Sequence, residues 1–381
     1  MKLIKKILLL MLVCFFVAGV PSDASALSED EITAPAAVLM DANTGEILYE
    51  KNPHEVRACA SITKVMTLTL VMEAIDSGKI AWSDTVTTSA HASSMGGSDI
   101  WLEPGETMTV DEMVKATIVA SANDAAVALA EHICGTEEEF VAQMNKKAQQ
   151  LGMKETVFKN CNGLDEDGHV TSAYDVAVMS RELIKHKKIL EYSGIWMDNL
   201  RDGKTQLVNT NKLLKSYKGI TGLKTGTTSQ AGSCVSATAE RDGLSLIAVV
   251  LGSKTSKERF SDASKLLDYG FANYTMFTPT VPDEALKEIQ VKNGMEPLLK
   301  TQTNINSSIL IKKGDKEKIT YDVSLPKELS APVKKGDQIG KIVYKNGGKQ
   351  IAEYPIAAAQ SIKEITFGDI FNIIFKSLVG A

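Results

Sequence analysis

The larger, N-terminal part of the chain shows two apolar periods, one extended and one helical. Residues 36–40 and 46–50 are rich in apolar positions and flank a turn-forming run at 41–45, a pattern typical of a β-hairpin. Over residues 61–77 apolar side chains recur at helical spacing until Gly78 ends the pattern. A helix this apolar is expected to lie at the centre of its domain.

Further helices and strands follow up to about residue 275. The patterns predict helices over 111–134 (interrupted at 121–123), 137–151, 171–186 and 254–269, and strands over 219–225, 232–239 and 244–251. The tight turn Arg241-Asp242-Gly243 between the last two strands is typical of antiparallel pairing. Helices flanking an antiparallel sheet predict a domain of the α/β or α+β class over roughly residues 30–275.

The pattern changes after residue 278. Residues 285–357 alternate short apolar runs with turns, and they predict a small all-β domain in which no chemistry is visible. From Phe367 onwards, apolar residues at 367, 370, 371, 374, 375 and 378 form one face of a helix. This helix is too short and too interrupted to span a bilayer, and we expect it to lie in the membrane interface. The alternative is a terminal helix that docks on the β domain.

The N-terminus has the pattern of a secretory signal peptide. Three lysines precede an apolar run over residues 7–20, and Ala24-Ser25-Ala26 has the small residues of a cleavage site. The apolar run is short for a membrane span, and an uncleaved anchor is the lesser alternative. We therefore predict an exported protein with four parts: a signal peptide (1–26), a main α/β domain (27–278), a small β domain (279–357) and an amphipathic membrane-anchor helix (358–381).

Charge and cysteine content narrow the function classes. The chain has 381 residues and a formal net charge of −5, with no long basic block, which argues against nucleic-acid binding. Apart from Cys14 in the signal peptide, the cysteines form no Cys-x-x-Cys pair and no cluster with histidines, so we expect no metal site. Cys59 has no lysine or histidine at helical spacing, and we interpret it as a packing residue. We expect free, mostly buried thiols, although disulfides are open to an exported protein; the cysteines concerned are Cys59, Cys134, Cys161 and Cys234.

Candidate chemistry begins at Ser61, which is followed by a lysine three residues later, Lys64. On a helix, positions i and i+3 share a face, so the Lys64 amine can reach the Ser61 hydroxyl. A serine becomes nucleophilic when a base takes its proton, and a lysine can be that base if burial or a second cation lowers its pKa. The spacing alone is weak evidence, because it recurs at Ser324 and Lys327 with a proline between the partners.

A second short motif, Ser121-Ala122-Asn123, lies at the interruption between two predicted helices. The Ser121 hydroxyl can relay a proton to a leaving amine, and the Asn123 amide can hold both a substrate carbonyl and a lysine ammonium. Standing alone, the motif is equally typical of a helix cap.

A third motif, Lys224-Thr225-Gly226, lies on a predicted edge strand, to which an extended peptide can add by main-chain pairing. Gly226 permits a close approach of the backbone, so that the N–H of Thr227 can join the N–H of Ser61 as an oxyanion donor. Lys224 also brings a second cation towards Lys64, which would help to keep the Lys64 amine neutral. The alternative is a strand end with an exposed lysine.

In this order the three motifs resemble those of the low-molecular-mass penicillin-binding proteins, the serine-type D-alanyl-D-alanine carboxypeptidases. The resemblance covers nearly the whole chain and includes the stretches 158–164 and 219–226 and the pair Gly168-His169. It implies a penicillin-binding-protein/β-lactamase-like catalytic domain over residues 27–278, followed by the small all-β domain and the C-terminal amphipathic helix. It also implies that the enzyme needs no cofactor and no metal. The catalytic residues that it implies are Ser61, Lys64, Ser121 and Asn123. The substrate-binding residues that it implies are Lys224, Thr225, Gly226 and Thr227.

The activity implied is removal of the terminal D-alanine from peptidoglycan stem pentapeptides. Ser61 would be acylated by the terminal D-Ala-D-Ala, water would hydrolyse the acyl-enzyme, and β-lactams would be trapped as slow acyl-enzymes. Such an enzyme would act at the outer face of the cytoplasmic membrane or in the cell wall space, with peripheral membrane contact through the C-terminal helix.

Two positions depart from the family pattern. An arginine that binds the substrate carboxylate can occupy the position of Thr210, so that carboxylate binding must rest on Thr225, Ser121, Lys224 or another cation. Arg259 is a candidate for indirect help only. Cys161 stands where a proline is frequent, which alters a loop and touches no proposed role.

Two other functions use similar motifs. A class A β-lactamase would have Ser-Asp-Asn in place of Ser121-Ala122-Asn123 and a glutamate that activates the deacylating water, and no convincing match for that glutamate lies between Asn123 and Lys224. A non-hydrolytic β-lactam sensor or cell-wall binding protein would keep the motifs and deacylate negligibly, because deacylation depends on precise placement of a water molecule.

Overall fold

The structure, a computed structural model, describes residues 27–379. The chain divides into two compact units between Ala272 and Asn273. This division precedes the boundary predicted after residue 278, because the strand Tyr274–Phe277 pairs with Ile309–Lys312 in the second unit. The predicted signal peptide, residues 1–26, lies outside the described residues.

The first unit contains a central antiparallel sheet and two short ladders. Its strands are β1 (Ala36–Asp41), β2 (Ile47–Lys51), β3 (Thr85–Thr87), β4 (Thr107–Thr109), β5 (Met197–Leu200), β6 (Thr205–Val208), β7 (Ile220–Thr228), β8 (Gly232–Arg241) and β9 (Leu244–Ser253). The central sheet has the order β2-β1-β9-β8-β7, and every pair in it is antiparallel. The predicted hairpin and the three predicted strands all lie in this sheet, and β7, which carries the Lys224 motif, is an edge strand, as expected.

Helices surround the sheet and follow the predicted order. They are α1 (Lys64–Asp76), α2 (Ala90–Ser93), α3 (Val110–Lys115), α4 (Asn123–Cys134), α5 (Glu137–Gln150), α6 (Ala173–Leu183), α7 (Lys188–Ser193), α8 (Leu213–Ser216) and α9 (Ser256–Asn273), with 3₁₀ turns at Glu29–Glu31 and Ala60–Thr63 and a π-helical turn at Ala116–Ala120. The short helices α2, α7 and α8 were not predicted, because so few residues leave no periodic pattern to read.

The sheet lies between two helical layers. Adjacent side chains on a strand point to opposite faces. Val38 and Val249 face the main hydrophobic core, which includes α1 and α6. Leu39 and Leu246 face the other way, against Gly270 of α9. Helix α1 is buried along most of its length, as its apolar sequence predicts.

The second unit is built mainly from short strands, as predicted. They are β10 (Tyr274–Phe277), β11 (Ile289–Lys292), β12 (Leu298–Leu299), β13 (Thr301–Gln302), β14 (Ile309–Lys312), β15 (Ile319–Ser324), β16 (Glu328–Ser330), β17 (Gln338–Asn346) and β18 (Lys349–Ala358). Three small sheets have the orders β10-β14, β12-β11-β16 and β13-β18-β17-β15. Two 3₁₀ turns, Asp283–Leu286 and Lys313–Lys318, connect strands.

The C-terminal helix, α10 (Phe367–Val379), begins later than the predicted segment 358–381, since strand β18 ends at Ala358 and the residues between the two are not helical. A reciprocal pair of hydrogen bonds between Thr366 and Asp369 caps its first turn. The apolar side chains of α10 are exposed, which disagrees with the alternative of a docked helix. Within residues 27–379, no helix combines the length and the apolar character that crossing a membrane requires.

Candidate active site

Ser61 lies in a 3₁₀ turn, Ala60–Thr63, that leads directly into α1 at Lys64. The prediction placed Ser61 in the α-helix itself, and the structure corrects this by one turn. A 3₁₀ turn has three residues per turn, so positions i and i+3 eclipse each other. The Lys64 Nζ atom accordingly lies 3.1 Å from the Ser61 Oγ atom.

Lys64 is fully buried and has two further partners besides Ser61. Its Nζ atom lies 2.6 Å from the carbonyl oxygen of Asn162 and 2.5 Å from Oδ1 of Asn123. Burial lowers the pKa of Lys64 to about 7, although the carboxylates of Asp99 and Asp124 act in the opposite direction. The amine is therefore poised to exchange a proton near neutral pH.

Lys224 of β7 is also buried, and its pKa lies well below the usual value because of burial first and the charges of Lys64 and Arg259 second. We expected burial or a second cation to lower the pKa of Lys64, with Lys224 as the cation that would help. In the structure, burial is the main cause that lowers the pKa of both lysines, and the neighbouring charges of Lys64 and Arg259 lower that of Lys224 further. The Lys224 Nζ atom donates to the carbonyl oxygen of Thr225, at 3.0 Å.

The second motif lies where a π-helical turn passes into α4. Ser121 ends the π-helical turn with a left-handed φ of 64°, and Asn123 begins α4; both are buried. The Asn123 amide is held at both ends, because Oδ1 accepts from Lys64 and Nδ2 donates to the Gly96 carbonyl oxygen at 2.6 Å. The structure thus brings Ser61, Lys64 and Asn123 into one hydrogen-bonded group.

Strand β7 passes close to the turn that carries Ser61. A Cβ atom at Gly226 would lie 2.9 Å from the carbonyl oxygen of Cys59 and 3.0 Å from the backbone nitrogen of Ser61, so only glycine permits this approach. Next to it, the Thr225 hydroxyl donates to the hydroxyl of Thr210 at 2.7 Å. Thr210, where the family pattern can have an arginine, therefore contacts a predicted substrate-binding side chain.

Comparisons with known proteins identify the family. A family model described as D-alanyl-D-alanine carboxypeptidase matches residues 23–255, and a model of the penicillin-binding protein 5 C-terminal domain matches residues 274–364. The chain belongs to the D-alanyl-D-alanine carboxypeptidase family. It is 46% identical to the D-alanyl-D-alanine carboxypeptidase DacF of Bacillus subtilis, over 91% of this chain and 90% of that protein. With DacC of Escherichia coli the identity is 34%, over 90% of this chain and 88% of that protein.

A solved structure supports the assignment of the fold. Penicillin-binding protein 5 from Haemophilus influenzae superposes with a TM-score of 0.74 and 35% sequence identity, covering 89% of this chain and 100% of that one. The predicted family and the predicted fold class, a catalytic α/β domain with a small β domain, are therefore confirmed.

Several residues at this candidate site were missed or undervalued from the sequence. The Asn162 carbonyl oxygen, a partner of Lys64, lies within the stretch 158–164, which fits the family pattern but suggested no role. Arg259, expected to give only indirect help, donates from Nη1 to the carbonyl oxygen of Gly226 (2.9 Å) and to the Thr227 hydroxyl (2.8 Å). Such partners carry no local signal, because they meet only in the folded chain.

The cysteines agree with the packing interpretation. Cys59, Cys134, Cys161 and Cys234 are free thiols, and all but Cys134 are buried. Burial raises the pKa of Cys59 to about 12. Since the thiolate is the nucleophilic form of cysteine, Cys59 is inert at neutral pH even though it lies beside the Ser61 turn.

Proposed function

We propose that Ser61 is the nucleophile of a serine DD-carboxypeptidase and is acylated by the terminal D-Ala-D-Ala of a peptidoglycan stem peptide. The observation that carries this proposal is the contact set of Lys64. A neutral lysine amine has two N–H donors and one lone pair. The Asn123 amide oxygen and the Asn162 carbonyl oxygen can take the two donors, which leaves the lone pair for the Ser61 hydroxyl.

Acylation then follows from this arrangement. Lys64 takes the hydroxyl proton as Ser61 Oγ attacks the carbonyl carbon between the two D-alanines. The negative charge that develops on the carbonyl oxygen is proposed to meet the backbone N–H groups of Ser61 and Thr227; the close approach of Gly226, the neighbour of Thr227, to the Ser61 nitrogen supports this. Ser121 relays a proton to the leaving amine, D-alanine departs, and water hydrolyses the ester on Ser61.

The edge of β7 is the proposed binding site for the peptide. Among the described residues, 27–379, no strand pairs with its outer side in the central sheet, so an extended substrate can add there by main-chain hydrogen bonds. Lys224 and Thr225 lie on this strand and are the groups proposed to bind the terminal carboxylate, since Thr210 has no charge to offer. Asn123 is proposed to hold a substrate carbonyl.

The same site is proposed to react with β-lactams, because they present an acylating carbonyl to the same nucleophile. A related protein, penicillin-binding protein D2 of Listeria monocytogenes, has been solved in an ampicillin-bound form; it is 36% identical over 62% of this chain and 97% of that one, with a TM-score of 0.55.

We further propose that the protein is exported by the signal peptide at residues 1–26 and held at the outer face of the cytoplasmic membrane by α10. Exposed apolar side chains on α10 support this, notably Phe371 and Phe375, whose rings stack with centroids 6.2 Å apart. A soluble protein gains nothing by exposing such a face to water, whereas a membrane interface buries it. If removal of residues 361–381 left membrane partitioning unchanged, this anchor would be wrong.

The decisive experiment combines two measurements on the same protein. One is release of D-alanine from a diacetyl-Lys-D-Ala-D-Ala peptide, and the other is intact-mass analysis after penicillin treatment, with Ser61→Ala as the control. Release of D-alanine together with a penicillin adduct that Ser61→Ala lacks would establish the proposal. An adduct without release would favour a β-lactam sensor or cell-wall binder, and rapid penicillin turnover without peptide cleavage would favour a β-lactamase.

A further inference from the structure

A chain of hydrogen bonds connects a buried histidine to the turn that carries Ser61. The Nε2 atom of His169 lies 2.7 Å from the Thr63 hydroxyl oxygen. That hydroxyl donates in turn to the carbonyl oxygen of Ala60, at 2.9 Å. His169 and Thr63 are both buried, so water does not compete for these contacts. Neither residue takes part in the acylation steps described above.

The contact between His169 and Lys159 fixes the direction of each hydrogen bond in this series. The backbone N–H of Lys159 can only donate, and it lies 3.1 Å from Nδ1 of His169, which must therefore accept. A neutral imidazole whose Nδ1 accepts carries its proton on Nε2. Nε2–H thus donates to Thr63, and the hydroxyl proton of Thr63 is free for the Ala60 carbonyl. Burial lowers the pKa of His169 to about 4, so the neutral form prevails at neutral pH.

The Ala60 carbonyl and the Ser61 N–H belong to one rigid peptide plane. In a trans peptide the C=O and N–H bonds point in opposite directions, so an anchor on the oxygen also sets the direction of the N–H. The Ser61 nitrogen faces Gly226 of β7. Ala60 has a φ of 49°, in the left-handed region that a residue other than glycine keeps only where its surroundings hold it.

From this geometry we propose that His169 is a positioning residue. Through Thr63 and the Ala60 carbonyl it aims the Ser61 N–H at the oxyanion of the acylation step. The inference rests on the proposed function, in which Ser61 is the nucleophile and its N–H is an oxyanion donor. An oxyanion donor acts on the transition state, so a misdirected N–H slows acylation without weakening the initial binding of the acylating ligand.

Two substitutions of His169 test the Nδ1 acceptor and the Nε2–H donor of the imidazole separately. Asparagine can accept from the Lys159 N–H but is too short to donate to Thr63, whereas glutamine reaches the place of Nε2 and keeps that donor. We expect His169→Asn to lower the rate constant of Ser61 acylation by penicillin about tenfold or more, short of the roughly 10²–10³-fold loss on removing an oxyanion donor outright. The dissociation constant of the noncovalent penicillin complex stays unchanged, and His169→Gln acylates close to the wild-type rate.

Thr63 provides an independent test of the same line of contacts. Thr63→Val keeps the shape and removes the hydroxyl, and it should slow acylation as His169→Asn does, while Thr63→Ser restores the rate. Because both residues act through one carbonyl, the double variant His169→Asn/Thr63→Val should be no slower than the slower single variant.

Thermal unfolding of each variant distinguishes positioning from a structural role. A lower melting temperature with wild-type acylation rates in His169→Asn and Thr63→Val would overturn the inference, as would fully additive losses in the double variant. Absence of a penicillin adduct on Ser61 in the wild-type protein would instead overturn the proposed function on which the inference rests.

Discussion

Gly163 packs against the Ala60 carbonyl so closely that a Cβ atom on Gly163 would lie 2.1 Å from that oxygen. The loop and the turn that carries Ser61 therefore fit together only because residue 163 has no side chain. Gly163 also has a left-handed φ of 87°, so glycine is favoured there for two separate reasons.

We expect Gly163→Ala to reduce acylation of Ser61 by at least about 10²-fold, since even a displacement of about 1 Å at a catalytic group has an effect of that size. Gly168→Ala is the matched control. Gly168 has a similar φ of 78°, but its Cβ would meet only the flexible end of Lys159, at 3.4 Å. Both variants carry the backbone strain, so a loss of acylation shared equally by the two would show that contact with Ala60 is not the cause.

The pH dependence of acylation follows from the burial of Lys64. The base must be neutral, and burial lowers its pKa to about 7. Below that pH the amine is protonated in a growing fraction of molecules, so the second-order rate constant for penicillin acylation should fall about tenfold per pH unit, and above it the rate constant should level off. Stopped-flow or mass-resolved labelling between pH 5 and 9 measures this. A profile that is flat across the range, or one still rising steeply at pH 9, would contradict Lys64 as the base.

Arg259 should matter for the shape of β7 rather than for overall stability alone. Its Nη1 atom donates to both Gly226 and Thr227, and a lysine cannot reproduce these contacts because its side chain is shorter and its ammonium ends before that position. We expect Arg259→Lys to lower kcat/KM for the D-Ala-D-Ala peptide about tenfold, equivalent to one charged hydrogen bond of about 1.5 kcal/mol. Lys257→Ala, which removes an exposed cation from the same helix, is the control. A reduced melting temperature with unchanged kcat/KM would assign Arg259 a structural role only.

The sequence predicted those parts of the site whose contacts join residues close together in the chain. Ser61 and Lys64 are three residues apart, and Lys224 and Gly226 lie on one strand, so short motifs and periodicity were enough to single them out. The fold class followed similarly, because the hairpin, the strands of the central sheet and the buried helix α1 leave clear apolar patterns.

The contacts that support Lys64 and the Ser61 turn join residues that are far apart in the sequence. Asn162 meets Lys64, and His169 meets Thr63, across 98 and 106 residues of chain respectively. No local sequence pattern indicates which distant carbonyl group or ring a residue contacts in the folded protein. The sequence suggested two causes for a low Lys64 pKa, burial and a second cation, but it could not decide between them, since burial is a property of the folded chain.

The orientation of α10 at a membrane can be tested with two neighbouring residues on opposite faces of the helix. Phe371 lies on the apolar face and Asn372 on the polar one, and both are exposed, so a lysine at either position should leave the fold intact. Phe371→Lys removes a side chain whose burial contributes about 1.5–3 kcal/mol, and it should weaken binding to phosphatidylglycerol-containing vesicles about tenfold or more. Asn372→Lys adds the same charge at the surface of the lipid, and it should bind at least as tightly as the wild type because a basic residue near anionic headgroups is attracted to them. Co-sedimentation of the full chain with vesicles measures both. Equal binding by the two variants would mean that the apolar face of α10 does not enter the lipid, and that charge alone accounts for any attachment.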